Sequence, residues 1–235
     1  MKIITLATLA ASIFFSTFIS AADYAVELEW NTNNLEQVLD NMPEQKAEFS
    51  KLIDRGEIKD MYVSRSEVDG RSVQLLRFVI EANDSQQVQD KLAHLPLYKK
   101  DLVNIAKITP LGSKWLDNTP DYNNYGVTIT WKQGIEALEI DRVLSIDLQR
   151  VISLNQAGLV TSSYIDSQKL ENNVVRPVYS VSFIAKDAQH AKELSHQFEA
   201  VTLGYADVNV QYLGYKLSLT NNQISCLLAI GFARR

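Results

Sequence analysis

One pattern occurs twice in this chain, and it limits the possible folds more than composition does. Residues 24–30 read YAVELEW and residues 125–131 read YGVTITW. Tyr24, Val26, Leu28 and Trp30 recur as Tyr125, Val127, Ile129 and Trp131. The alternation is that of a strand, with Val26, Leu28 and Trp30 on one face and Glu27 and Glu29 on the other. Self-similarity at a long fixed period marks repeated supersecondary units.

The register persists beyond the strand. A helix is expected in each copy. In the first it starts near Asn41 and Pro43 and carries Phe49, Leu52 and Ile53 on one face. In the second, Leu144, Leu148, Val151 and Ile152 keep that spacing. Gly56 and Gly158 follow, each suited to a left-handed C-terminal cap. Strands are expected at 58–65 and 159–165, then at 73–80 and 178–184. ANDSQQV at 82–88 matches AKDAQHA at 185–191, so Asp84 and Asp187 read as N-caps of a second helix. Closing strands are expected near 102–109 and 207–213.

Each copy thus reads strand, helix, strand, strand, helix, strand, the ferredoxin-like order within the α+β class. The shift grows slowly along the chain, which means small loop insertions. The strand at 73–80 is apolar on both faces, as in a sheet covered on both sides. Helices cover one side, and the sheet of the other copy is the natural cover for the second. The expected organisation is a leader at 1–22, units at 23–111 and 125–218, a linker at 112–124 rich in Pro, Gly and Asn, and a tail at 219–235.

Residues 1–22 carry Lys2 as their only charge, then an apolar run, then Ser20-Ala21-Ala22. This is the order of a secretory leader, with cleavage expected near Ala22/Asp23 and a periplasmic or secreted destination. The mature part is expected to hold no transmembrane span; ISCLLAIGF at 224–232 is too short for one. The tail is expected to cap a barrel edge or meet a partner. The net charge of −5 argues against a nucleic-acid partner, which needs a basic footprint. Cys226 is the single cysteine, so no disulfide forms within the chain.

The first unit also resembles a known family. EQKAEFSKLIDRGEI at 44–58, AHLPLYKK at 93–100 and NIAKITPL at 104–111 are similar to the muconolactone delta-isomerase family. That family belongs to the dimeric α/β-barrel superfamily. The resemblance implies ferredoxin-like units paired sheet to sheet. Here the pairing is expected within one chain, as an intramolecular dimeric α/β-barrel and a monomer. It also implies a pocket for a small organic molecule and cofactor-free proton transfer. The chain departs from the family where Arg71 and Ser72 follow the turn glycine Gly70, and in the strand IKDMYVSR. The second unit lacks the LPLY segment.

Glu27 and Glu29 are the candidate catalytic pair, because carboxylates facing the space between sheets could move a proton if burial raised their pKa. Arg65, Arg71 and Arg77 are candidate partners for them. Thr128 and Thr130 hold the matching positions in the second unit and cannot do carboxylate chemistry. Arg65, Arg77, His94 and Tyr98 are the candidate ligand-binding residues. Glu44, Lys46 and Glu48 read as a solvated helix face. Tyr62, Tyr164, Tyr179, Tyr205, Tyr212 and Tyr215 are further tyrosines placed to line a cavity or to fill core and rim. No metal-ligand constellation and no cofactor motif is present. Three readings stay open on the sequence: a small-ligand binder, a cofactor-free isomerase, and a structural or interaction module.

Overall fold

The computed structural model describes residues 21–118 and 122–219. The expected leader up to residue 20 and the tail from residue 220 lie outside the described residues, as do 119–121 of the expected linker. The N-terminal half runs β1 (Ala22–Trp30), α1 (Leu35–Asp54), β2 (Ile58–Val68), β3 (Arg71–Ala82), α2 (Ser85–Leu92), α3 (Pro96–Lys99) and β4 (Val103–Asp117). The C-terminal half repeats that order with β5 (Asn123–Trp131), α4 (Ala137–Gln156), β6 (Val160–Lys169), β7 (Val175–Ile184), α5 (Ala188–Ser195), α6 (Glu199–Thr202) and β8 (Ala206–Lys216). The class is α+β: eight antiparallel strands and six helices among the described residues.

The strands close into one barrel in the order β1-β3-β2-β8-β5-β7-β6-β4. Each half contributes four neighbouring strands, and two seams join them. The β2–β8 seam pairs Tyr62 with Lys216 and Val63 with Tyr215. The β4–β6 seam pairs Lys114 with Tyr164 and runs on to Asp117 and Ser162. Close backbone approach at both seams requires glycine. A Cβ on Gly112 would lie 2.0 Å from the Ile165 carbonyl oxygen, and one on Gly214 would lie 2.1 Å from that of Val63.

The local signals explain most element ends. Glu57 N–H donates to Leu52 O and Gly56 N–H to Ile53 O after α1; Leu159 to Leu154 and Gly158 to Asn155 do the same after α4. Both glycines have positive φ, so both helices end in a Schellman motif. Asp84 and Asp187 cap α2 and α5 through the Gln87 and His190 N–H groups. The start of α1 differs from expectation. Asn34 caps it, and Pro43 lies inside the helix, costing one backbone bond. The burial of Leu35, Val38, Phe49, Leu52 and Ile53 along one face offsets that loss. β4 also continues through Pro110 and Gly112 to Asp117, where a linker was expected, because it pairs with β1 and then with β6.

Each half packs its helices mainly on its own strands, and Trp115 and Leu116 of β4 also reach the C-terminal core. Phe49 meets Phe78 edge-on at 5.1 Å in the N-terminal half, and Tyr179 meets Phe198 at 5.5 Å in the C-terminal half. No described helix is long and apolar enough to cross a membrane.

Candidate functional site

The barrel interior holds a cavity of about 100 Å³, lined from both halves. Glu27 on β1 and Arg77 on β3 are register partners and face it, with the Arg77 Nη2 3.5 Å from a Glu27 carboxylate oxygen. Arg77 also donates through Nη1 to the Tyr212 carbonyl at 2.5 Å. At the matching place in the C-terminal half, Ser180 donates to Thr128 at 3.2 Å, and both line the cavity. Lys107, Tyr62, Tyr164 and Ser182 add to its polar wall, with Asn209 and Gln211 of β8.

Beside the cavity lies a buried ionic cluster. Asp60 on β2 is 1% exposed. Its Oδ1 receives Lys114 Nζ at 2.9 Å and Lys216 Nζ at 3.0 Å, and its Oδ2 accepts the Tyr164 hydroxyl. Lys216 further donates to Ser162 Oγ and Thr161 O, both at 2.8 Å, and to Asp117 at 2.5 Å. The Tyr62 hydroxyl reaches Ser162 Oγ at 3.3 Å and Ser182 Oγ at 3.1 Å. Burial pushes the Tyr62 and Tyr164 phenols well above their ordinary range, and the Asp60 charge pushes further in the same direction. Both therefore stay neutral.

A groove of about 330 Å³ lies outside the barrel between α1 and α2. It is lined by Glu48, Lys51, Leu52, Arg55, Glu57, Lys91, His94 and Leu95. The Lys51 hydrogen bond holds the Glu48 carboxyl below its usual range. Burial raises Glu57, but bonds from Lys91 and Arg55 outweigh it and bring it below as well. A third groove, of about 480 Å³, borders Asp23, Lys59, Glu81, Lys114, Trp115 and Asp117.

The residues expected to form one site are dispersed. Glu27 and Arg77 meet at the cavity. Glu29 and Arg65 are exposed, His94 lies in the outer groove, and Tyr98 packs in the N-terminal core. Of the tyrosines, Tyr62 and Tyr164 line the cavity. The sequence reading missed Asp60, Lys114, Lys216 and Ser162. Their signal was present, since Lys114 and Tyr62 recur as Lys216 and Tyr164 in the register of the repeat.

No family model matches the chain, and no curated protein does. Solved structures do match. A heme-binding protein from Thermus thermophilus superposes with a TM-score of 0.55 at 13% identity, covering 89% of this chain and 95% of that one. A mutant chlorite dismutase from Candidatus Nitrospira defluvii gives 0.55 at 11% identity, covering 88% and 95%. The chain shares its fold with these two structures.

This corrects the muconolactone delta-isomerase resemblance. The matched stretches are local packing devices: LPLY sets Pro96 at the first position of α3 and buries Leu97, whose N–H donates to Gln45 at 3.0 Å. The functional readings drawn with it are corrected too. Ligand pockets run from about 300 Å³ upward, and a water takes about 30 Å³. The cavity therefore has room for a few waters rather than a small organic molecule. The cofactor-free isomerase reading fails with the resemblance that implied it, and its carboxylate pair is split, with Glu29 in solvent.

Proposed function

We propose that the protein binds heme, in the groove between α1 and α2 rather than inside the barrel. The fold likeness raises heme as the ligand, and the donors of this chain decide where it fits. Heme iron takes His, Cys, Met or Tyr as its protein ligand. The barrel cavity offers Tyr62 and Tyr164, whose neutral hydroxyls are already engaged, in too little room. The groove beside Asp23 and Lys114 has no such ligand among its lining residues. The α1–α2 groove has His94, and this carries the proposal. Lys51, Arg55 and Lys91 exceed Glu48 and Glu57 by one charge, which suits the propionates, and Leu52 and Leu95 give an apolar floor. Bound there, heme would supply redox-active iron at an accessible surface. Titration with hemin tests this. A shifted Soret band is expected, lost in His94→Ala and kept in His190→Ala and His196→Ala. No binding, or binding untouched by His94→Ala, overturns the reading.

The chain is further read as two tandem ferredoxin-like units, 23–111 and 125–218, packed sheet to sheet as an intramolecular dimeric α/β-barrel. The doubled element order, the matching caps and the alike seams support this. Internal pairing uses the strand edges and inner sheet faces of both halves, so a monomer is expected by light scattering. Export rests on residues 1–22 alone, and sequencing of the mature N-terminus tests it.

A further inference from the structure

The ionic cluster sits where the two halves meet, and its asymmetry carries information. Lys114 and Lys216 hold matching places on the last strand of each half, as do Tyr62 and Tyr164 on the second. Each lysine pairs in register with the tyrosine of the other half. Among the buried members the symmetry breaks at one position: Asp60 stands in the first half and Ser162 in the second. Two ammonium groups thus share one buried carboxylate. Asp117, the other carboxylate they reach, is 57% exposed and contributes less.

We propose that Asp60 is a closure lock that makes the edges of the second half, which carry Lys216 and Ser162, accept only the edges of a first half. This rests on the two-unit reading. Pairing two second halves from different copies would bury two Lys216 groups beside two Ser162 hydroxyls with no Asp60. Buried charges without a partner are strongly unfavourable. The same cluster that stabilises the internal barrel therefore disfavours one wrong pairing between copies, a repulsive element of specificity. The two seams have short strand ladders, so side chains must supply the selectivity.

The matching positions give a direct test. The Tyr62 hydroxyl meets Ser162 as the Tyr164 hydroxyl meets Asp60, and Lys216 Nζ meets Ser162 Oγ as Lys114 Nζ meets Asp60. A carboxylate at 162 would reach the same pair of lysines. The full chain is compared with Asp60→Ser, Ser162→Asp and the double variant. The readouts are the urea midpoint and hydrogen exchange at the Leu217 amide, which bonds to Met61 O across the β2–β8 seam.

Asp60→Ser is expected to lower the midpoint and speed that exchange on the order of a hundredfold, the size an unpaired buried charge implies. The double variant is expected to recover most of both. If Asp60→Ser does not fold, recovery of a folded monomer in the double variant is the supporting result. A harmless Asp60→Ser overturns the lock and leaves the two-unit reading standing. A damaging Asp60→Ser without recovery in the double variant overturns the equivalence of 60 and 162, and the two-unit reading with it.

Discussion

The two halves of the barrel share backbone order, the glycine ends of α1 and α4 and the Asp caps of α2 and α5, yet they differ where polar groups are buried. The N-terminal half puts Gln45 on α1 and accepts one N–H, from Leu97 at the start of α3. The C-terminal half puts Asp147 at the matching place on α4. It accepts the Tyr179 hydroxyl at 2.7 Å and the N–H groups of Glu199 and Ala200 at 2.6 and 3.1 Å. At the cavity the contrast reverses: Glu27 and Arg77 in the first half, Thr128 and Ser180 in the second. Backbone form is held by apolar periodicity and caps, which tolerate many residues. Buried polar positions need only satisfied partners, so charged and neutral solutions both persist.

Three experiments sharpen this contrast. The largest effect is expected at the lysines. Lys216→Met removes a fully buried cation from beside Asp60, and with it a donor to Ser162 and to the Thr161 and Asn118 carbonyls, and should cost about 4 kcal/mol, whereas Lys114→Met, at a site 15% exposed, should cost about half as much. Urea midpoints check the order; equal losses would make the seams energetically alike.

Next come the helix residues. Asp147→Ala strands three donors and should cost about 3 kcal/mol, against about 1.5 for Gln45→Ala. Asp147 also adds a pH signature. Burial holds its carboxyl above the ordinary Asp value of 3.8, outweighing the hydrogen bonds that lower it. The folded chain then takes up this proton at higher pH than the unfolded chain. Its contribution to stability accordingly falls as pH rises from that value through the raised one. Asp147→Asn should remove that slope, and Gln45→Glu should not reproduce it unless its carboxyl is equally buried. Asp23, raised mainly by burial, gives the first half a slope of the same sign.

The smallest effect is expected at the cavity. Glu27→Gln with Glu29→Gln should shift stability by less than about 0.5 kcal/mol, because Glu29 is in solvent and the Glu27–Arg77 pair is partly exposed. Thr128→Val with Thr130→Val should do as little. A loss above about 2 kcal/mol in the glutamate pair would mean that the cavity is held by charge after all.

The fold was legible because strands and helix caps write themselves locally. Val26, Leu28 and Trp30 alternate, and Gly56 and Gly158 end their helices for a conformational reason. The start of α1 was misread because proline is favoured at the first position of a helix, whereas here tertiary burial carries the helix through Pro43 from Leu35. The extension of β4 past Gly112 was hidden because strand pairing across a seam leaves no local pattern. The site was far less legible. Glu27 and Arg77 were found together because they are neighbours in register. Asp60, Lys114 and Lys216 come from strands far apart in sequence, and each alone reads as ordinary surface charge. Only the recurrence of Lys114 as Lys216 in the repeat register could have singled the cluster out. His94 was noticed beside LPLY, but its neighbours Lys51 and Arg55 belong to another helix, so the groove was invisible.

The position of Lys216 at the end of the last strand has a consequence for biosynthesis. Synthesis runs from the N-terminus, so Asp60 and Tyr62 are made long before the residue that closes over them. Until β8 emerges, the β2 edge has no partner and stays open to water and to other chains. Closure is thus a late, long-range step, and the open β2 edge is a hazard for aggregation until β8 arrives.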